Sequence, residues 1–227
     1  MCGRYLLRNQ PDWANHTPWN QYWEDISQFV PRYNIAPSQQ CPVIINNDGQ
    51  PQLVAMQWGF RPTWAKLSFA KINSRGETLF SSKMFSKAAH QTRCLVPADG
   101  FYEPKGDSSQ KTRPWHLFQY EDRHVFMMAG IWTHHQSESE DYLNFSIVTT
   151  EANSLMKPIH HRMPVILEKE QWALWLNSSE DELQSSLESR EYTGLLHYPV
   201  GDTAKNPRNE GPECAEPFSQ GNLSLFD

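Results

Sequence analysis

The chain has 227 residues, a formal net charge of −6 and 12% aromatic residues, enough for one domain with a sizeable core. No secretory signal, no run of 18 apolar residues and no Cys-x-x-Cys spacing occurs, and the cysteines stand apart at positions 2, 41, 94 and 214, so the sequence reads as a reduced, cytoplasmic, soluble protein with no membrane segment and no structural metal. The negative total argues against a generic nucleic-acid binder, yet it averages two unlike halves: residues 1–115 carry 13 Lys and Arg against 8 Asp and Glu, whereas residues 116–227 carry 7 against 18.

In chain order, residues 2–8 alternate loosely and predict a strand that would hold the terminus inside the fold. Residues 11–29 mix aromatic and polar side chains without clean periodicity, and Pro18 interrupts any long helix there. Residues 43–46 and 52–58 flank Asn47-Asp48-Gly49, a hairpin signal. Leu79, Phe80, Met84, Phe85 and Ala88 recur at helical spacing and predict a helix over 77–90. Strands are expected over 115–120, 125–132 and 143–150, paired antiparallel, followed by short helices within 168–177 and 181–188 and a last strand over 195–200. Pro207, Pro212 and Pro217 make the tail after Gly201 an ordered loop wrapping the surface. The pattern is α+β: a single domain over 1–227, its core spanning about 2–217, mainly antiparallel sheet or barrel with peripheral helices and nothing that implies βαβ nucleotide binding.

Cys2 draws attention first among the reactive residues. Loss of Met1 would leave an α-amine and a thiol on adjacent carbons, with ordinary pKa values of about 8 and about 8.5. Such an aminothiol condenses with an aldehyde to an imine, and its sulfur can close on the imine carbon to give a thiazolidine. Between Arg61 and Arg93 lie Lys66, Lys71, Arg75, Lys83 and Lys87 against the single acid Glu77, interleaved with Trp64 and Phe69 and preceded by Trp58 and Phe60. That composition suits a groove that neutralises phosphates and stacks bases, and equally a solvated basic face.

Three further segments carry chemistry. In Ile72-Asn73-Ser74-Arg75-Gly76-Glu77-Thr78, Asn73 offers an amide to orient a reactant and Arg75 a fork of donors for phosphate, though Asn before Ser-Arg-Gly also forms turns. In the segment from Cys94 to Pro104, Glu103 stands between aromatic neighbours that would raise its pKa towards a proton-shuttling range, unless it simply faces solvent, and Asp99 before Gly100 reads as a turn residue. In Ile159-His160-His161-Arg162-Met163-Pro164, either histidine can donate a proton and Arg162 can meet phosphate.

Taken together, Met1-Cys2-Gly3-Arg4, Arg32 to Pro37, Trp58-Gly59-Phe60, Ile72 to Thr78, Cys94 to Glu103 and His160 to Pro164 resemble the SRAP family of abasic-site processing proteins, also called SOS response-associated peptidases. The resemblance spans roughly residues 2–217 in the expected order. It implies a compact β-rich domain, monomeric and without cofactor, that acts in DNA damage repair by binding single-stranded DNA and capturing abasic sites covalently. By that resemblance Cys2 is the nucleophile, Asn73 positions the reactants, Glu103 shuttles protons and His160, two places before Arg-Met-Pro, assists sugar ring opening. Arg4, Arg75 and Arg162 match backbone-contacting positions, Trp64 a stacking wedge, and Lys71 and Lys83 are further DNA-binding candidates. The family's peptidase activity is most readily understood as release of Met1. Pro104 departs from the pattern, since many members carry Trp after the Glu. Two other classes share some of these features: an N-terminal-nucleophile amidohydrolase, with the amine of Cys2 as base, and a non-covalent single-stranded DNA module in which Cys2 is incidental.

Overall fold

Period-two alternation and turn chemistry lay out most of the chain as strands. The computed structural model describes residues 2–9, 30–66, 69–106, 109–110 and 112–218, so the irregular stretch expected over 11–29 lies outside the described residues. Its strands are β1 (Arg4–Leu7), β2 (Arg32–Ile35), β3 (Gln40–Asn47), β4 (Gln50–Trp58), β5 (Asn73–Arg75), β6 (Arg93–Ala98), β7 (Gly100–Pro104), β8 (Trp115–Tyr120), β9 (Phe126–Gln136), β10 (Asp141–Glu151), β11 (Arg162–Pro164), β12 (Ile166–Leu167) and β13 (Leu195–Val200). The hairpin expected around Asn47-Asp48-Gly49 joins β3 to β4, with Asp48 at φ 52° and Gly49 at φ 83°. Two successive positive φ values match the right-handed strand twist, which is why Asp-Gly sits there.

β10, β4, β3, β6 and β9 pair in that order, and β9 pairs back to β10, closing a five-stranded barrel. A second sheet runs β13-β8-β7-β1-β2. Residues of β6 alternate between two hydrophobic clusters. Cys94 and Val96 join Tyr5, Trp58, Phe101, Phe118 and Phe145 between barrel and sheet, while Leu95 packs on the other side beneath Trp172 and Trp175 of the helix Lys169–Asn177. Burial on both faces explains why this segment is a continuous apolar run rather than an alternating one. Phe101 stacks on Phe118 at 5.1 Å and Tyr5 meets Trp58 edge-on at 5.3 Å. Such pairs add about 0.5–1.5 kcal/mol each beyond their burial.

The far face of the second sheet, with Leu6, Tyr102 and Leu117, is covered by the tail through Ala204, Cys214 and Ala215. The tail contains short 3-10 turns at Asp202–Lys205 and Pro212–Ala215 but no second core, as its prolines suggested. Asn34 ties it down, donating through Nδ2 to the carbonyls of Asn206 and Asn209 at 2.9 Å each.

Two expectations need correction. The helix expected over 77–90 is a 3-10 turn at Gly76–Thr78 and a helix only at Ser86–Gln91. Ser82 interrupts it by accepting from the Met84 amide through Oγ at 3.3 Å, a local bond that competes with helix continuation. Pairing is mainly antiparallel, as expected, with β10 running parallel to β4 and β5. The basic aromatic segment is also not one continuous groove. Trp58 and Phe60 are buried in the core. Arg61 bonds Glu140 and Tyr142, and Arg93 donates to the carbonyls of Ala89, Trp175 and Ser178. Cations placed next to apolar strands are consumed as internal donors for carbonyls that would otherwise lie unpaired.

Candidate active site

The site assembles where β1, β5, β7 and the turn before β11 converge. β1 pairs antiparallel with β7, with Arg4 opposite Tyr102 and Tyr5 opposite Phe101, so Cys2 emerges alongside the end of β7 that carries Glu103. Asn73 opens β5 and donates from Nδ2 to the Cys2 carbonyl at 2.9 Å, anchoring the first described residue of the chain. Trp58 holds that strand from below, its Nε1 donating to the Ile72 carbonyl at 2.9 Å. His160 closes the group, with Nε2 3.7 Å from Glu103 Oε1. The four residues expected to carry the chemistry, Cys2, Asn73, Glu103 and His160, thus stand together although they are far apart in sequence.

Electrostatics at this cluster favour neutral groups. Cys2 is fully buried, and burial followed by the nearby Glu103 charge pushes its thiol far above the usual cysteine range. Burial likewise raises Glu103, opposed by the positive charge of the chain's amino terminus and by Arg113. His160 is lowered to about 4, first by burial and then by the same amino-terminal charge. His160 Nδ1 lies 3.0 Å from the Arg162 amide and 3.2 Å from the Arg162 carbonyl, while Nε2 faces Glu103. A neutral imidazole beside a carboxyl of raised pKa gives two groups able to exchange protons with a bound reactant.

The arginines expected at DNA lie differently. Arg4 turns to the far face of the sheet, where its guanidinium donates to Asn34 Oδ1 at 2.7 Å and to the carbonyls of Ala204 and Lys205 at 3.1 and 3.3 Å, and sits 5.4 Å over the Trp115 ring. Arg162 forms a two-pronged pair with Glu77 and donates to the Thr149 carbonyl at 2.7 Å. Burial alone would raise Glu77, but the Arg162 hydrogen bonds hold its carboxyl below the usual range. Arg75 is exposed, and Trp64 projects with 70% of its surface accessible. Lys71 lies 4.8 Å over the Phe69 ring, and Lys83 is exposed. Pro104 stands opposite Trp115 across β7 and β8, and the Trp115 indole lies on the far face with Arg4 and Tyr102, away from Glu103.

Sequence reasoning missed Arg113, which acts electrostatically on both Glu103 and His160, and the supporting residues Asn34, Glu77 and Thr149. Arg113 carries no motif signature; only the β7–β8 register brings the segment leading into β8 near Glu103. Asp99 is more than a turn residue, since its buried carboxylate accepts from the amides of Arg8 and Asn9 at 2.6 and 2.8 Å and from Arg8 Nε at 3.0 Å. Among the described residues no group of three or more His, Cys, Asp or Glu is placed to hold a metal ion, and no helix is long and apolar enough to cross a membrane.

Comparison with known proteins places this geometry among relatives. The family model described as SOS response associated peptidase (SRAP) matches residues 1–207. The abasic site processing protein YoqW of Bacillus subtilis (strain 168) is 34% identical over 224 residues, covering 95% of this chain and 99% of its own. The abasic site processing protein HMCES of Xenopus tropicalis is 24% identical over 260 residues, covering 94% of this chain and 77% of its own. Among solved structures, a protein from Bacteroides thetaiotaomicron superposes with a TM-score of 0.79 at 24% identity, covering 96% of this chain and all of that one.

Proposed function

Because the chain belongs to the SOS response associated peptidase (SRAP) family, we propose that it processes abasic sites in DNA, capturing them in single-stranded DNA through Cys2 once Met1 has been removed. The convergence of Cys2, Asn73, Glu103 and His160 is the observation that carries this reading. Relatives named abasic site processing proteins, similar over nearly their whole length, support it.

The reaction begins with the closed deoxyribose, whose ring must open to expose an aldehyde. The Glu103 carboxylate takes the proton of the anomeric hydroxyl and passes it to the ring oxygen as the C–O bond opens, with His160 hydrogen-bonding at that oxygen. The free amine of Cys2 then attacks the aldehyde carbon. Loss of one water gives the imine, with Glu103 carrying protons between nitrogen and the departing oxygen. The Cys2 sulfur adds to the imine carbon, its proton passing to the nitrogen, and a five-membered thiazolidine closes. Overall one water leaves and no oxidant or reductant is needed. Asn73 fixes the Cys2 carbonyl and so the rotation of the residue that carries both nucleophiles.

Burial has a role in this sequence. A thiol held protonated does not react with stray electrophiles, and it becomes a nucleophile where Glu103 is at hand to accept its proton. The adduct removes the aldehyde, and with it the route to β-elimination and strand breakage. Release of Met1 is the peptidase step we read into the family name, and methionine aminopeptidase could carry it out equally well.

Intact mass spectrometry with and without an abasic single-stranded oligonucleotide tests the proposal. The protein lacking Met1 should gain the oligonucleotide mass less one water, and Cys2→Ala should lose this heat-stable product. A normal yield from Cys2→Ala, or from protein with Met1 demonstrably intact, would sink the aminothiol chemistry.

A further inference from the structure

The cations near the site divide by whether the fold uses them. Arg4, Arg61, Arg93 and Arg162 all donate to side chains or carbonyls of the protein. Arg75 and Lys157 do not: both are exposed, and among the described residues neither side chain has a hydrogen bond or ion pair. His161 is also exposed, its ring stacked on His160 at 4.3 Å.

These three side chains meet at one surface recess of about 330 Å3, completed by Glu151, Ala152 and Arg162. Its donors differ usefully. Arg75 offers a planar fork, Lys157 a mobile point charge, and His161 an N–H in either neutral tautomer, a set that can surround the two unbridged oxygens of a phosphodiester. Beyond Glu151 lies a second recess of about 290 Å3 lined by Glu77, Glu151 and Glu188 with no basic residue, which would repel a phosphate. The charge boundary therefore confines an anion to the first recess.

That recess adjoins the reacting cluster on two sides. Arg75 follows Asn73 by two residues along β5, about 6.6 Å at the usual strand rise, and the two share a face. His161 follows His160 directly. The geometry points to a phosphate subsite: Lys157 and His161, with Arg75, hold one backbone phosphate beside the trapped sugar and so fix which nucleotide is presented to Cys2. It rests on the abasic-site reading, and names Lys157 and His161 as positioning residues for it.

The test uses the full chain and single-stranded oligonucleotides carrying a tetrahydrofuran abasic analogue, which has no aldehyde and reports binding alone. Each flanking phosphate is replaced in turn by an uncharged methylphosphonate. On the all-phosphate strand, Lys157→Ala and His161→Ala should each weaken binding by about fivefold to tenfold, and Lys157→Ala should reduce the salt slope by about one. Thermal unfolding should be unchanged, because both residues are exposed. At one flanking position the methylphosphonate should weaken the wild-type protein but cost Lys157→Ala nothing more. Full additivity at every position, or an unaltered salt slope, overturns the subsite. Failure of the parent reading has a separate signature: with an aldehydic abasic strand, the wild-type protein gives no covalent product.

Discussion

His160 is the group whose ionisation the fold most clearly resists, and lowering the pH should expose that resistance. Burial, the amino-terminal charge, His161 and Arg113 together bring it from 6.5 to about 4. In the unfolded chain the ring titrates near 6.5. As pH falls from 6.5 towards 4 the unfolded state takes up a proton that the folded state refuses, so folded-state stability is lost through that window. A shift of this size corresponds to roughly 3 kcal/mol at about 1.4 kcal/mol per pH unit. The ring keeps contact with solvent, which screens the charge, and about 1–2 kcal/mol is the expected loss. Urea unfolding of the wild-type protein and His160→Gln from about pH 7 to about pH 4 measures it, since Gln carries no titratable ring. The stability of the wild type relative to the variant should fall by that amount on acidification. Glu103 titrates beside His160, so the same comparison in a Glu103→Gln background separates the two. A difference that stays flat across the range, or a His160 ring resonance that titrates near 6.5, would refute the reasoning.

Two other substitutions separate structural from binding roles. Arg162→Met should lower stability by about 1–2 kcal/mol, because it leaves the buried Thr149 carbonyl without its guanidinium donor while the half-exposed Glu77 carboxylate is rehydrated; thermal unfolding checks this, and an unchanged midpoint would mean the internal network carries no weight. Trp64→Ala should shift stability by less than about 0.5 kcal/mol, given its exposed side chain, yet weaken single-stranded DNA binding by about 1–3 kcal/mol in fluorescence anisotropy; equal affinity would remove it as a stacking surface.

Local signals in the sequence placed several elements well. Asp48-Gly49 marked its hairpin because Asp-Gly is among the few pairs that readily adopt two positive φ values, and the strands expected over 195–200 and 115–120 are observed with those limits. Closure of the barrel was not legible. It depends on β9 pairing with both β6 and β10, and on β10 accepting two parallel neighbours, none of which leaves a local pattern. The site shows the same division. Cys2, Asn73 and Glu103 were singled out by their chemistry, whereas His160 was chosen over His161 only through the resemblance to the family. What each arginine does was hidden, since a guanidinium reads the same whether it meets phosphate or, like that of Arg4, a carbonyl 200 residues away. Arg113, Lys157 and the carboxylate of Glu77 acquire roles only through the company that the strand register gives them.

The position of β1 has a consequence for the order in which the protein is made. This strand is made before its neighbours β2 and β7 and before the tail segment that receives Arg4, the last of them some two hundred residues on. Until that tail docks, the segment that carries Cys2 and Arg4 lacks its full set of partners; afterwards Cys2 is buried. Biosynthetic timing thus separates an early interval, in which this segment is incompletely covered, from the later one in which the completed pocket governs the reactivity of Cys2.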